Sequence, residues 1–449
     1  MTTSSPGSAH AHDGVQGSVV VCAVAIVAGA FIGFVGGAFR WCLERADVLR
    51  IDLSDWAHRL AGPGWLVPVV ATAVGAALAA LVVRWQPLAS GSGIPHVEAV
   101  YRGDASQPEL RLLPAKFVGG VLAIGSGLVL GREGPTVHMG AAIGAAVARC
   151  ARVGDATVRM LQTAVGGAGL AVAFNAPIGG VLFTLEEVTK GFRLQTVLAT
   201  AFAAATGVGC ARLVVGDHPD FTVPEVNSPG LGWLPLFVIF GLATGCLGVF
   251  YNRLVLGFVD HVKLVPRIPT VAKAAVIGAV IGLLMFVQPL ATGGGDDLTQ
   301  SILGGRSLEL SVVVGFLALR FLAGPLSYAA AVPGGLFAPL LAVGTLWGVL
   351  FSGTFDAVWP GSHASLAVPM AIVGMSAFFA ATVRAPVTGI VLVVEMTATT
   401  SVLVPMLAAT AAAVLAAELL GSPPIYDSLR ERMMPERSAG GAPKDQDGQ

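Results

Sequence analysis

Residues 19–39 carry no charge, and at ~20 residues per crossing this run is long enough to span a bilayer as one helix. A charged segment follows at residues 40–59, and then a second apolar span at 66–83. Beyond it the apolar runs become irregular. Residues 117–130 and 139–147 are too short to cross alone and are flanked by glycine and proline. The later runs (160–185, 197–215, 231–256, 271–290, 312–326, 335–350, 370–383 and 387–419) mix full, short and overlong lengths. Charged residues make up 12% of the chain, against ~25% in soluble domains. The expectation is an all-α polytopic membrane protein. Helices broken near mid-membrane are the pattern of secondary transporters, whose half-helix ends form the substrate site.

Several function classes drop out. A formal net charge of −1 leaves no polybasic surface for nucleic acid. Residues 1–16 form a Ser/Gly/His-rich polar tail, expected to be disordered and lacking the basic start of a cleaved signal peptide. The five cysteines stand singly in or beside apolar runs, without CxxC or zinc spacing, and read as structural thiols. No GxxxxGK[ST] or HExxH is present, so neither an ATP-driven pump nor a zinc hydrolase is indicated. Gly293-Gly294-Gly295-Asp296 with Tyr426-Asp427 imitates an intramembrane aspartyl protease, but in reversed order and in or near polar loops. No enzyme activity, metal or cofactor is expected. The histidines, His96 and His138 among them, have no partner at ligand spacing. Arg430, Arg432, Arg437 and Lys444 place the C-terminus inside.

An internal repeat sets the architecture. Gly131-Arg132-Glu133-Gly134-Pro135 aligns with Gly335-Leu336-Phe337-Ala338-Pro339 at a shift of 204 (339 − 135), which also brings Gly140 onto Gly344 and Gly144 onto Gly348. Ala176-Pro177-Ile178-Gly179-Gly180 matches Ala385-Pro386-Val387-Thr388-Gly389, and Glu186 falls on Glu395 at a shift of 209 (395 − 186). The divisions are therefore a tail at 1–16, a first membrane repeat at 17–215, a linker at 216–235, a second repeat at 236–420, and a short helix and tail at 421–449. Glu186 and Glu395 occupy equivalent places in both halves, which favours a scaffold role for each. Glu133 instead matches Phe337, and Glu187 matches Met396. A charge at membrane depth costs ~2.5–3.5 kcal/mol or more, so unmatched carboxylates mark ion or proton pathways.

The chemistry concentrates in the turn Gly131 to Pro135. Pro135 suits the first turn of a helix, and the free N–H groups there form an anion site. Glu133 stands beside that site with a carboxylate of its own. A carboxylate that occupies an anion site, and leaves it when protonated, couples anion movement to proton movement. Ser90-Gly91-Ser92-Gly93-Ile94-Pro95 offers a hydroxyl and exposed N–H groups to a halide, although taken alone it reads more readily as an ordinary interhelical turn. Gly335 to Pro339 offers a second nest of N–H groups. Tyr426 opens a short C-terminal helix, where it is either a neutral donor to an anion or an interfacial anchor.

Together these motifs resemble the CLC family of chloride channels and proton-coupled chloride transporters, over about residues 17–435. The resemblance rests on Gly91 to Pro95, Gly131 to Pro135, Phe174-Asn175-Ala176-Pro177 with Glu186-Glu187, Gly335 to Pro339, and Tyr426. It implies a homodimer with one pore per subunit, each subunit built from two inverted-topology repeats, in the cell inner (plasma) membrane with cytoplasmic termini. It implies that Ser92, Tyr426 and the N–H groups of Leu336 and Phe337 hold a central chloride. Arg132, Glu133 and Gly134 would form the outer anion site and gate, and Glu187 would pass protons to the inside. The partners implied are chloride, protons and lipid, with about two chlorides exchanged per proton. The alternative is a passive chloride channel of the same fold. A glutamate at position 187 resembles the antiporters, and Ser92 resembles the chloride-selective members. Ala329-Ala330-Ala331-Val332 departs from the glycine-containing loop usual before the second anion-binding turn. The chain ends soon after Tyr426, without the paired regulatory domains of many eukaryotic members.

Overall fold

The computed structural model describes residues 7–433, with side chains from Gly17 onward apart from residues 363 and 364. The first half contains α1 (Gly7–His58), α2 (Leu66–Trp85), α3 (Ile94–Arg102), α4 (Leu112–Gly125), α5 (Glu133–Cys150), α6 (Asp155–Phe174), α7 (Pro177–Phe183) and α8 (Leu194–Val215). The second contains α9 (Leu234–Lys263), α10 (Thr270–Val287), α11 (Asp296–Leu303), α12 (Leu310–Ala329), α13 (Phe337–Asp356), α14 (His363–Val383), α15 (Pro386–Thr397) and α16 (Leu403–Leu419). A last short helix, α17, covers Ile425–Met433. Among the described residues there is no β-strand, only two isolated bridges. Among the described residues, eight helices are long and apolar enough to cross a membrane.

Helix for helix, α1 to α8 are repeated by α9 to α16. Both halves carry the same lead-in to their short third helix: Gln86-Pro87-Leu88-Ala89 and Gln288-Pro289-Leu290-Ala291 each form a 3-10 turn. A left-handed glycine then starts the short helix, Gly93 at φ 92° before α3 and Gly295 at φ 102° before α11. The pairs α1/α8 and α9/α16 pack closely enough that only glycine fits at the crossings. A Cβ at Gly33 would fall on the Gly207 carbonyl, and one at Gly241 on the Ala409 carbonyl. Small residues of this kind let membrane helices approach where no hydrophobic drive exists between them.

Element lengths differ from the sequence expectation in identifiable ways. The charged segment 40–59 does not leave the membrane helix but extends it, so α1 is a single 52-residue helix. It starts at Gly7, within the stretch expected as a tail; residues 1–6 and 434–449 lie outside the described residues. The run 160–185 breaks at Asn175, which takes a left-handed φ of 49° before Pro177. The overlong run 387–419 divides into α15 and α16. Each break sits where proline removes a backbone donor and bars the preceding residue from helix, or where a left-handed residue ends a turn.

The halves clasp each other through two carboxylates. Glu186 accepts from the N–H groups of Val387 and Thr388 at 3.0 and 2.6 Å, and from the Thr388 hydroxyl at 2.7 Å. Glu395 accepts from the N–H groups of Ile178 and Gly179 at 3.0 and 2.7 Å. Each acid thus caps the N-terminus of the other half's equivalent helix, satisfying donors that have no intrahelical partner. Glu186→Ala and Glu395→Ala are each expected to lower stability by about 1–3 kcal/mol, the penalty for leaving such donors unpaired. A thermal unfolding midpoint in detergent unchanged by both substitutions would show that the clasp carries no load.

Candidate functional site

Three helix N-termini meet at the centre of the protein. The turns before α5 and α13 pair antiparallel: the Gly131 N–H donates to the Gly335 carbonyl at 2.8 Å, and the Gly335 N–H donates back at 2.9 Å. The turn before α3 joins them, with the Gly91 N–H on the Val332 carbonyl at 3.1 Å and the Gly334 N–H on the Gly91 carbonyl at 3.2 Å. Positive dipole ends and unpaired N–H groups are thereby gathered in a water-poor interior, as an anion site requires.

Glu133 lies in that nest. It is fully buried, and its Oε1 accepts from the Phe337 N–H at 2.8 Å, while Oε2 has no partner among the described residues. A Cβ on Gly131 or Gly335 would overlap this carboxylate, so both flanking positions must be glycine for the side chain to fold back. Ser92 and Tyr426 present buried hydroxyls with no hydrogen-bond partner among the described residues. Gly134 supports the first of these: a Cβ there would lie 2.5 Å from Ser92 Oγ and 2.8 Å from its Cα. Leu336 and Phe337 are both buried at the start of α13. A cavity of about 240 Å³ opens against Ser90, Gly91 and Ser92, and Lys263, Lys273 and Arg432 also line it.

The Arg132 side chain does not pair with its neighbour Glu133. Its Nε donates to the Ala173 carbonyl at 2.9 Å, and its Nη atoms reach Asp220 at 2.9 Å and Asp296 at 3.5 Å. Asp220 also takes Arg40 at 2.8 Å. The guanidinium anchors the turn from outside and leaves the anion nest to backbone N–H groups. Such partial charges bind an anion without trapping it.

Glu186 and Glu187 fall in a π-helical turn, Thr184–Val188, a widened turn often found at functional sites. The turn sends the two neighbours apart: Glu186 out to α15 and Glu187, 1% exposed, into the interior. Glu187 faces Glu98, which accepts from Arg430 Nη1 at 3.0 Å. Arg430 also contacts Asp427 at 2.9 Å, and Asp427 takes Lys190 at 2.7 Å. Burial alone would raise the Asp427 carboxyl, but the Lys190, Arg430 and Arg102 charges outweigh it and hold the group below the usual carboxylate range. Glu187 is therefore joined to the exposed Lys190–Asp427 pair by a chain of charged side chains.

Sequence reasoning missed several of these residues. Lys116, completely buried, donates to the carbonyls of Gly91 at 2.6 Å, Ser92 at 3.3 Å and Ser90 at 3.5 Å, from beneath the anion turn. Its repeat equivalent is Arg320 (116 + 204), which donates to the Thr292, Gly293 and Gly294 carbonyls at 3.3, 3.1 and 2.6 Å. The shared shift was a usable signal for both. His96 and His138, which have no partner at ligand spacing in the sequence, are brought together by the fold: His96 Nδ1 and His138 Nε2 lie 3.0 Å apart in the interior. Ala331 resolves the departure at 329–332 by adopting φ 55°, with its carbonyl accepting from Ser90 Oγ at 2.9 Å. The alanine takes the left-handed turn usually left to glycine, at a strain of roughly 1–2 kcal/mol.

Comparison with known proteins places this arrangement. The sequence model described as voltage gated chloride channel matches residues 74–418. The H(+)/Cl(-) exchange transporter ClcA of Vibrio parahaemolyticus is 37% identical, over 93% of this chain and 93% of that protein. Its counterpart in Vibrio cholerae is 38% identical, over 92% and 89%. A slow cyanobacterial Cl-/H+ antiporter superposes with a TM-score of 0.86 at 32% identity, covering 92% of this chain and 98% of its own. A CLC-type fluoride/proton antiporter, 19% identical with a TM-score of 0.73, covers 89% and 96% and shares the fold. The chain belongs to the voltage gated chloride channel family, the CLC proteins.

Proposed function

We propose that the protein is a multi-pass inner-membrane exchanger of chloride against protons, moving about two chlorides per proton. The observation that carries this reading is the Glu133 carboxylate seated on the Phe337 N–H, a protein anion in an anion's place. Chloride and the charged side chain compete for the same donors. When Glu133 takes up a proton it becomes a neutral acid, loses its hold on the nest and yields to chloride. When it gives the proton up it returns and expels the halide. Ser92 Oγ, Tyr426 Oη and the N–H groups of Leu336 and Phe337 supply the central chloride site; the unpartnered state of both hydroxyls supports this. The backbone of Arg132, Glu133 and Gly134 supplies the outer one. Glu187 relays protons to the cytoplasmic face through its contact with Glu98, which Arg430 holds.

The exchange activity carried in the names of the relatives favours this reading over a passive channel, as does the carboxylate at Glu187. We also propose a homodimer with one pore per subunit and cytoplasmic termini. Exposed apolar side chains support the dimer on both members of the repeat-related pairs α7/α15 and α8/α16. They include Ile178, Val387, Phe202 and Leu415. A face shared by equivalent helices of the two halves suits an isologous contact.

In proteoliposomes, an imposed chloride gradient is expected to drive protons uphill, with a reversal potential that shifts with the proton gradient. A reversal potential set by chloride alone would identify a channel instead. Glu133→Gln, which fixes the neutral form, is expected to abolish proton coupling and retain chloride flux; proton pumping at the wild-type rate would refute the gate. Glu187→Gln is expected to bring proton transport to background and spare chloride. If Glu186→Gln did so in its place, the relay would have been assigned to the wrong neighbour.

A further inference from the structure

Beside the Ser92 turn lies a polar contact that the exchange scheme does not use. His96 on α3 and His138 on α5 are 4% and 0% exposed, and their Nδ1 and Nε2 atoms are 3.0 Å apart. A hydrogen bond between two imidazole nitrogens needs a bare acceptor on one of them, so at least one ring is neutral. The other hydrogen bond of His96 goes to the Ser106 backbone, in the loop after α3. The arrangement Nε2–H of His138 to Nδ1 of His96, and Nε2–H of His96 to Ser106, satisfies three of the four ring nitrogens. The fourth, His138 Nδ1, is buried and unpartnered, beside Gly93.

The position of the His138 ring gives the pair its meaning. His138 follows Gly134 by four residues and so shares its face of α5. Gly134 receives Ser92, and the His138 ring fills the space where a Cβ on Gly93 would be. Two consecutive residues of the anion turn thus rest on two consecutive turns of the helix that begins with Glu133. Lys116 also holds the carbonyls of residues 90, 91 and 92 of that turn.

We propose that the His96–His138 hydrogen bond is a positioning element of the anion path, fixing α3 against α5 so that the Ser92 hydroxyl is presented to the halide. The inference rests on the reading of Ser92 as a chloride donor. It makes the two imidazoles determinants of chloride affinity, although neither touches the ion. The pair works through its shared proton, so a side chain that can donate at Nε2's place preserves the effect and an apolar one of similar volume does not.

Chloride-dependent exchange in proteoliposomes tests this, with wild type, His138→Leu, His138→Gln and His96→Leu compared. His138→Leu and His96→Leu are each expected to raise the chloride KM about fivefold, the loss of one buried hydrogen bond, with the maximal rate nearly unchanged. His138→Gln, whose amide can donate to His96, is expected to keep the wild-type KM. In ¹⁵N-histidine spectra of the wild-type protein, the bridging nitrogens are expected to shift when chloride is added. Wild-type KM in both leucine variants would overturn the proposal, as would a glutamine variant as impaired as the leucine one, or ring signals indifferent to chloride. If His138→Leu fails to assemble, His96→Leu removes the same bond from the other end and decides the matter. Absence of chloride-dependent exchange in the wild type would instead overturn the parent reading.

Discussion

The structure depends on one contact, the Glu133 carboxylate on the Phe337 N–H, inside an antiparallel meeting of two half-helix starts. Most of the surrounding sequence serves to make that contact available. Glycines at 131 and 335 clear room for the carboxylate, and Pro135 and Pro339 stand in the first turns of α5 and α13. Arg132 is tied to Asp220, Asp296 and the Ala173 carbonyl, so no guanidinium neutralises the nest directly. What remains is a concentration of backbone dipoles, the kind of partial charge that can select an anion and still release it.

The anion turn has its own support, and the support is duplicated. Lys116 and Arg320 each sit beneath a glycine-rich turn and bind its carbonyls, leaving the N–H side of the turn facing the other way. A carbonyl-binding cation is a way to hold irregular backbone inside a membrane, where every unpaired polar group costs several kcal/mol. The same requirement explains the clasp of Glu186 and Glu395, which pairs N–H groups at two further helix starts. Broken helices multiply such ends, and in this fold charged side chains from elsewhere in the chain satisfy them.

Much of this was legible in the letters. The apolar runs, the glycine and proline breaks and the repeat gave the helical membrane fold, and the asymmetry of Glu133 and Glu187 against Phe337 and Met396 singled out the two carboxylates whose burial the structure shows. The charged segment 40–59 carries no mark of where the first helix ends, and α1 continues through it to His58. The side-chain contacts were out of reach for a different reason. His96 meets His138 across 42 positions, Arg40 meets Asp220 across 180, and Glu98 meets Arg430 across 332. No helical period links such residues; the packing of α3 on α5, of α17 on α3, and of the segment after α8 on α1 brings them together. Lys116 was the exception, since its match to Arg320 shares the shift that aligned Glu133 with Phe337.

The symmetry also explains why this buried acid occurs once. Glu133 and Phe337 are equivalent residues of the two halves (133 + 204), and they are also the two partners of the central hydrogen bond. Equivalent positions that meet at a local two-fold axis must share one space. A glutamate in both halves would set two carboxylates against each other, a repulsion of about 4 kcal/mol at 4 Å for an effective dielectric of 20. Each would also claim the donor its counterpart needs. One half can therefore supply a carboxylate here only if the other supplies a backbone N–H and an apolar side chain, as Phe337 does. The clasp at Glu186 and Glu395 escapes this limit because each acid caps a different helix, away from the shared point, so there the duplicated residue survives in both halves.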